Sequence, residues 1–277
     1  MQITGPTERL NDLIQGKAYE GLELKREILD ELGFFVVRNI LGSDETNHYY
    51  GLFKELIANG TIKRSEFHST EYKIDHVSIF DDLPKKPSFK KLWPHFFSGK
   101  VGSNFKRILS KDQDSPAAVI LHQDTSYQFG DTEQYSLFTS LTPSSPRNGG
   151  LQLYPGTHKL GYLGDAGSLN PSVLPKEIQA CAPNLARGDM LVMHSATWHF
   201  SELFQEGEER VYLEWHILNA ESPFSNKTLW GDPVQQWQVD FNIVNREESD
   251  FFVRSRSMRL KEAIAELEEL KMNSPKN

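Results

Sequence analysis

The chain has 277 residues, 38% hydrophobic and 25% charged, and its 17 Phe, 9 Tyr and 5 Trp exclude a largely disordered polypeptide. A single cysteine, Cys181, excludes an internal disulfide framework and a thiolate metal cage, and apolar runs of about five residues fall far short of the ~20 needed for a membrane-spanning helix. The net charge of −8 argues against nonspecific nucleic-acid binding, and the N-terminus lacks the basic head and apolar core of a secretion signal, so a cytoplasmic location is expected.

Taken in chain order, the first 60 or so residues read as helical. Glu20–Gly33 carries Leu22, Leu24, Ile28 and Leu32 and stops at a glycine; Phe34–Val37 follows as a short buried strand. Asp44–Asn59 places Tyr49, Leu52, Phe53 and Leu56 on one helical side. Thr61–His76 is unpatterned and reads as an exposed loop or lid. The block Lys85–Arg107 contains Lys85, Lys86, Lys90, Lys91, Lys100, Lys106 and Arg107 and no acid, which fits a solvated helix face or a surface turned toward an anionic substrate. From residue 117 short β-like runs succeed one another: Ala117–His122, Tyr135–Leu141, Gly150–Tyr154, Asp189–His194 and Arg210–Leu218. Turn-rich pieces separate them, as in an all-β sandwich or barrel. Met258–Lys271 returns to a helical stripe. The expectation is one domain over residues 1–277: a β core at about 115–220, helical and lid elements over 1–114, and a C-terminal helix at about 255–272.

The chemically informative motif is His122-Gln123-Asp124. Residues i and i+2 of a strand project to the same side, so an imidazole and a carboxylate can converge on one ion. A histidine from a distant strand would complete a two-histidine, one-carboxylate face, the ligand set of non-haem Fe(II) oxygenases. His158, His194, His199 and His216 are the candidates.

Four ordered stretches resemble the phytanoyl-CoA dioxygenase-like family of Fe(II)/2-oxoglutarate oxygenases. They are Ile28–Leu41 with its Gly33-Phe34-Phe35-Val36-Val37; His122-Gln123-Asp124; Asn148-Gly149-Gly150-Leu151-Gln152-Leu153-Tyr154-Pro155-Gly156-Thr157-His158; and the run from Gly188-Asp189 through His199-Phe200-Ser201 to Arg210. The resemblance implies a mainly β fold with flanking helices around a double-stranded β-helix (jelly-roll, cupin-like) core. It implies His122, Asp124 and His199 as iron ligands, with Arg210 and Ser201 on the distal carboxylate of 2-oxoglutarate. A guanidinium suits that task because its planar fork matches a carboxylate. The implied cofactors are Fe(II), 2-oxoglutarate as cosubstrate, and O2. The implied reaction is hydroxylation of an unactivated C–H bond of a small molecule, with release of succinate and CO2. Asp124 stands where halogenating relatives carry Gly or Ala, which favours hydroxylation, desaturation or ring formation. Trp198 and Phe200 depart from the smaller residues usual beside the second histidine and bear on the substrate pocket.

Beyond the motifs, Arg210–Leu218 alternates, with Arg210, Tyr212, Glu214 and His216 on a polar side and Val211, Leu213, Trp215 and Ile217 on an apolar one. The first side would face a ligand cavity and the second a helix layer. His158 and His194 read as structural, His216 as a cavity-side or core histidine, and Tyr135 and Phe138 as core residues or pocket lining. A Zn(II)-dependent hydrolase or isomerase on the same barrel, and a non-catalytic relative, are the competing classes.

Overall fold

The computed structural model describes residues 6–65, 68–124, 133–163 and 168–232, together with positions 261, 264 and 265. By its internal contacts the chain divides into two units, Met1–Trp237 and Gln238–Asn277, and every helix and strand named below belongs to the first. The C-terminal helix expected at 255–272 lies outside the described residues except at those three positions.

The helices are α1 (Pro6–Gln15), α2 (Arg26–Leu32), α3 (Ser43–Ala58) and the single turn α4 (Pro87–Lys90). The strands are β1 (Glu20–Gly21), β2 (Phe34–Val37), β3 (Glu71–Lys73), β4 (Val101–Lys111), β5 (Val119–His122), β6 (Tyr135–Ser140), β7 (Leu151–Leu153), β8 (Met190–His194), β9 (His199–Ser201), β10 (Arg210–Asn219) and β11 (Lys227–Trp230). The large sheet has the order β1-β2-β8-β6-β10-β4-β11, with β3 also paired to β4; the small sheet has the order β5-β9-β7. Side chains join the two sheets at Asp124–Ser136 and at Lys111–Ser201, so the sheets face each other in a jelly-roll arrangement.

Burial on both faces explains the large sheet's sequences. In β2, Phe35 and Val37 join Val211, Leu213, Trp215 and Ile217 of β10 in a cluster with Tyr49 and Phe53 of α3. Phe34 and Val36 join Leu191, Met193, Phe138 and Tyr212 in a second cluster on the other face. A strand covered on both faces reads as a continuous apolar run rather than an alternating one. The apolar side of β10 therefore meets the helix layer as its alternation required.

Five expectations are corrected. The helix expected over Glu20–Gly33 is confined to α2, because Glu20 and Gly21 pair in parallel with Val36 and Val37. It does end at Gly33, whose φ of 83° is a left-handed cap that donates to Leu29 O. The Thr61–His76 stretch is no free loop in its described part: β3 pairs with β4, Tyr72 and Ile74 are core residues, and Arg64 ties to Asp112 at 2.6 Å. The basic block forms no single face. Lys85, Lys90 and Lys91 are exposed, whereas Lys86 pairs with Glu45, Lys100 with Glu221, Lys106 with Asp81 and Arg107 with Glu214. The β structure also exceeds the expected 115–220 stretch, since β1 to β4 precede it and β11 follows it. Finally, the β-like run Ala117–His122 narrows to β5, which edges the small sheet among the described residues and leaves Ile120 52% exposed.

Candidate metal centre

His122 ends β5, Asp124 follows two residues later, and His199 opens β9 directly opposite His122 in the antiparallel register. The pairing of two short strands thus brings together residues separated by 77 positions in the chain (199 − 122). The Nε2 atoms of His122 and His199 each lie 3.5 Å from Asp124 Oδ1, the two rings are 4.2 Å apart, and all three ligand atoms fall within 4.8 Å of one another. Bonds of about 2.1 Å meeting near right angles at one metal put neighbouring donors about 3 Å apart, so this spacing fits a single ion.

Backbone carbonyls select the tautomers. His122 Nδ1 sits 2.7 Å from Ile120 O and His199 Nδ1 sits 2.9 Å from Thr197 O. A ring nitrogen against a carbonyl carries the proton, which leaves Nε2 of each ring bare and aimed at the shared point. Ser136 Oγ on β6 donates to Asp124 Oδ2 at 2.8 Å, leaving Oδ1 for a metal. Burial opposes the charge on Asp124, but His199 and His122 outweigh it and hold the carboxyl well below its usual range. Burial likewise opposes charge on His199, but Asp124 raises its pKa; at His122 burial and His199 win and its pKa falls. The donor set is one carboxylate and two neutral imidazoles, with Asp124 and His199 buried and His122 partly open.

Arg210, expected to bind a carboxylate, opens β10 and is buried; its guanidinium lies 4.4 Å from the centre of the Tyr212 ring. Its Nε has no hydrogen-bond partner among the described residues. Ser201, two residues beyond His199 on β9, accepts a hydrogen bond from Lys111 Nζ at 2.7 Å. Lys111 pairs with Arg210 in the β4–β10 register. A lysine so placed was missed from the sequence, because only the strand register shows it buried against Ser201 and opposite Arg210.

The remaining polar side of β10 extends this interior. Glu214 receives a two-bond fork from Arg107 at 2.5 and 3.1 Å and also bonds His216. His216 reaches Ser136 at 3.5 Å, so the row Arg107–Glu214–His216–Ser136 ends on the carboxylate of Asp124. Asp124, Glu214 and His216 would themselves suit a metal by distance, but Arg107 already occupies the Glu214 carboxylate. His194 and His158 stand outside the centre. His158 Nε2 faces Asp30 O at 3.0 Å, His194 Nδ1 accepts from Ala196 N at 3.1 Å, and their rings are 5.2 Å apart. Phe138 packs on Tyr212 on the cavity side, whereas Tyr135 turns to the helix layer against Phe96.

A model of the phytanoyl-CoA dioxygenase (PhyH) family matches residues 29–203. The chain belongs to this family. The match spans the metal triad and ends just before β10. No curated protein sequence matches the chain. Among solved structures, the epimerase SnoN from nogalamycin biosynthesis, in complex with Fe3+, alpha ketoglutarate and nogalamycin RO, is similar with a TM-score of 0.63 and 16% identity, covering 83% of this chain and 94% of that one. The carbocyclase SnoK from the same biosynthesis gives a TM-score of 0.62 at 14% identity over 80% and 88% of the two chains. EctD from S. alaskensis with 2-oxoglutarate and 5-hydroxyectoine gives a TM-score of 0.62 at 18% identity over 70% and 75%. These likenesses bear out the mainly β, jelly-roll expectation for the fold.

Proposed function

We propose that this family member is an Fe(II)- and 2-oxoglutarate-dependent dioxygenase that hydroxylates an unactivated C–H bond of a small organic metabolite or natural product, with succinate and CO2 as coproducts. The observation that carries the reading is the convergence of His122 Nε2, His199 Nε2 and Asp124 Oδ1 on one point, with the buried cation Arg210 in the same interior. A facial set of two imidazoles and one carboxylate leaves the opposite face of a metal open. Iron and 2-oxoglutarate, when bound, would supply the means to activate O2, which is the oxidant: oxidation of 2-oxoglutarate to succinate and CO2 provides two electrons and the C–H bond the other two.

The chain's own residues do the rest. His122, Asp124 and His199 would hold the metal, with Ile120 O, Thr197 O and Ser136 Oγ fixing their orientation. Arg210 and Ser201 would hold the far carboxylate of the cosubstrate. Tyr212, whose ring lies 4.4 Å from the Arg210 guanidinium and packs on Phe138, would shield that end from water. Asp124 fills the third protein position at the metal, which supports hydroxylation over halogenation. SnoN and SnoK are an epimerase and a carbocyclase, so the mass of the product is the distinguishing readout.

Under O2, the iron-loaded protein is expected to turn 2-oxoglutarate into succinate. His199→Ala abolishes this, and Arg210→Ala weakens 2-oxoglutarate use while the metal content stays. A product heavier than its substrate by one oxygen supports hydroxylation; one of unchanged mass, or lighter by two hydrogens, moves the reaction to epimerisation, or to ring closure or desaturation. Wild-type protein that makes no succinate across a broad substrate panel overturns the reading.

A further inference from the structure

On the cavity side, β4 and β10 form a ladder in which Leu109 stands opposite Tyr212, Arg107 opposite Glu214 and Phe105 opposite His216. Asp124 belongs beside the last two rungs, because the ligand atoms of Asp124, Glu214 and His216 lie within 4.8 Å of one another. Arg107 is thus one carboxylate away from a metal ligand. The Glu214 side chain has no exposed surface, whereas Arg107 beside it keeps 23% of its side chain accessible. The guanidinium therefore opens onto the space next to the metal.

The fork to Glu214 uses Nε and Nη2 and balances the arginine's charge. Nη1 is left over. Among the described residues it makes no hydrogen bond, and Glu71 Oε2 lies 3.9 Å away, beyond hydrogen-bond reach. Glu71 pairs with Leu109 in the β3–β4 register, so its side chain shares the cavity side with Arg107. One oxygen about 2.8 Å from each would bridge that gap. It must accept from a guanidinium, which can only donate, and donate to a carboxylate, which can only accept. An anionic oxygen has no proton for Glu71, and an ammonium has no lone pair for Arg107; a hydroxyl serves both. A carboxylate accepts about four hydrogen bonds, so Glu71 can take this proton beside its other contacts. On the next rung the Phe105 and His216 rings, 3.9 Å apart, add an aromatic surface suited to the C–H face of a saturated ring.

We propose that Arg107 and Glu71 are specificity-determining residues that hold one hydroxyl group of the substrate between them, and that the substrate is a neutral hydroxylated ring compound. The bridged alcohol fixes which C–H bond faces the metal. The inference rests on the oxygenase reading above and names its substrate class. Water meets the same hydrogen-bonding demand, and the experiment separates a ligand hydroxyl from a water alone.

The test is anaerobic titration of the protein loaded with Fe(II) and 2-oxoglutarate, following the visible band of the chelate as ring compounds are added. The probes are methyl glucoside, methyl mannoside, methyl galactoside, methyl rhamnoside and myo-inositol, their monodeoxy analogues, and the charged rings cyclohexylamine and cyclohexanecarboxylate. At least one hydroxylated ring is expected to shift the band, and the charged rings are not. Removing one particular hydroxyl is expected to weaken that ring's binding roughly ten- to a hundredfold, the range for a charged hydrogen bond. Arg107→Lys, which keeps a cation opposite Glu214 and loses Nη1, is expected to weaken the intact ring by a similar factor and to leave its sensitive deoxy analogue unchanged. Glu71→Met gives the same comparison if Arg107→Lys does not fold. A merely structural role would weaken both compounds equally and overturns the proposal. So does a charged ring that binds better than every hydroxylated one, or an intact ring no tighter than any of its deoxy analogues, the result for a water alone. A normal band that no hydroxylated ring moves overturns the inference by itself; no band before any probe is added overturns the oxygenase reading and the inference with it.

Discussion

At the scale of single residues, Asp124 shows how much of the centre lies outside its ligands. Its Oδ2 takes the proton of Ser136 Oγ, and that serine also meets His216, which Glu214 and Arg107 hold in turn. Removing the hydroxyl lets the carboxylate rotate away from the two imidazoles. Ser136→Ala is expected to weaken Fe(II) affinity about tenfold, as for other groups that orient a ligand, and an anaerobic competition titration against a chelator measures it. An unchanged affinity would show that Asp124 is held by its backbone alone. The triad was legible because a strand carries i and i+2 to one side and the ordered motifs supplied His199. His158 and His194 were already read as structural, and their contacts with Asp30 O and Ala196 N agree with that. Ser136, Lys111 and Arg107 were not legible, since their roles depend on which strands pair.

Elements show the same limit. β10 announced itself because its apolar side meets a helix layer and its polar side a cavity. β4, its longest partner, did not. It sends Lys106 to Asp81 on one face and Arg107 and Lys111 to buried partners on the other, so its charges resemble those of a surface segment. Charge on a strand indicates solvent only when no partner waits on the opposite wall. The Asn148-Gly149-Gly150 turn was read as a family signature, and the structure gives its physical reason. Asn148 accepts from Ser145 N and donates to Pro143 O and Glu208 O, while Gly149 yields space to Lys111. Gly149→Ala combines a left-handed φ with a contact of 2.6 Å. It is expected to destabilise the fold by about 1–3 kcal/mol, read from urea unfolding. A loss well below that range would mean the turn can relax around a methyl group.

For the molecule as a whole, acidity is the condition to which stability should respond. His194 lies against His158 and Tyr135, with Arg26 and Glu133 nearby. Burial, then His158, lower its pKa from the ordinary 6.5 to about 4. The unfolded chain therefore takes up this proton at a higher pH than the native one. Stability from this group is complete above pH 6.5 and falls as pH drops from there toward 4, by about 2–3 kcal/mol. His158, also lowered by burial, acts in the same direction. Urea unfolding of metal-free protein at pH 7.5 and pH 5 is expected to show the loss, and His194→Gln to remove a large part of the difference. An identical difference in wild type and variant would contradict the assignment. Among the described residues no helix is long and apolar enough to cross a membrane.

The division of labour between the two sheets has a mechanical consequence. The imidazoles belong to the small sheet, β5 and β9, and the cations Arg210 and Lys111 to the large one. A cosubstrate chelated at one end and gripped at the other would span the gap as a strut, fixing the distance between the two walls. Loading would then stiffen the jaws before any substrate arrives.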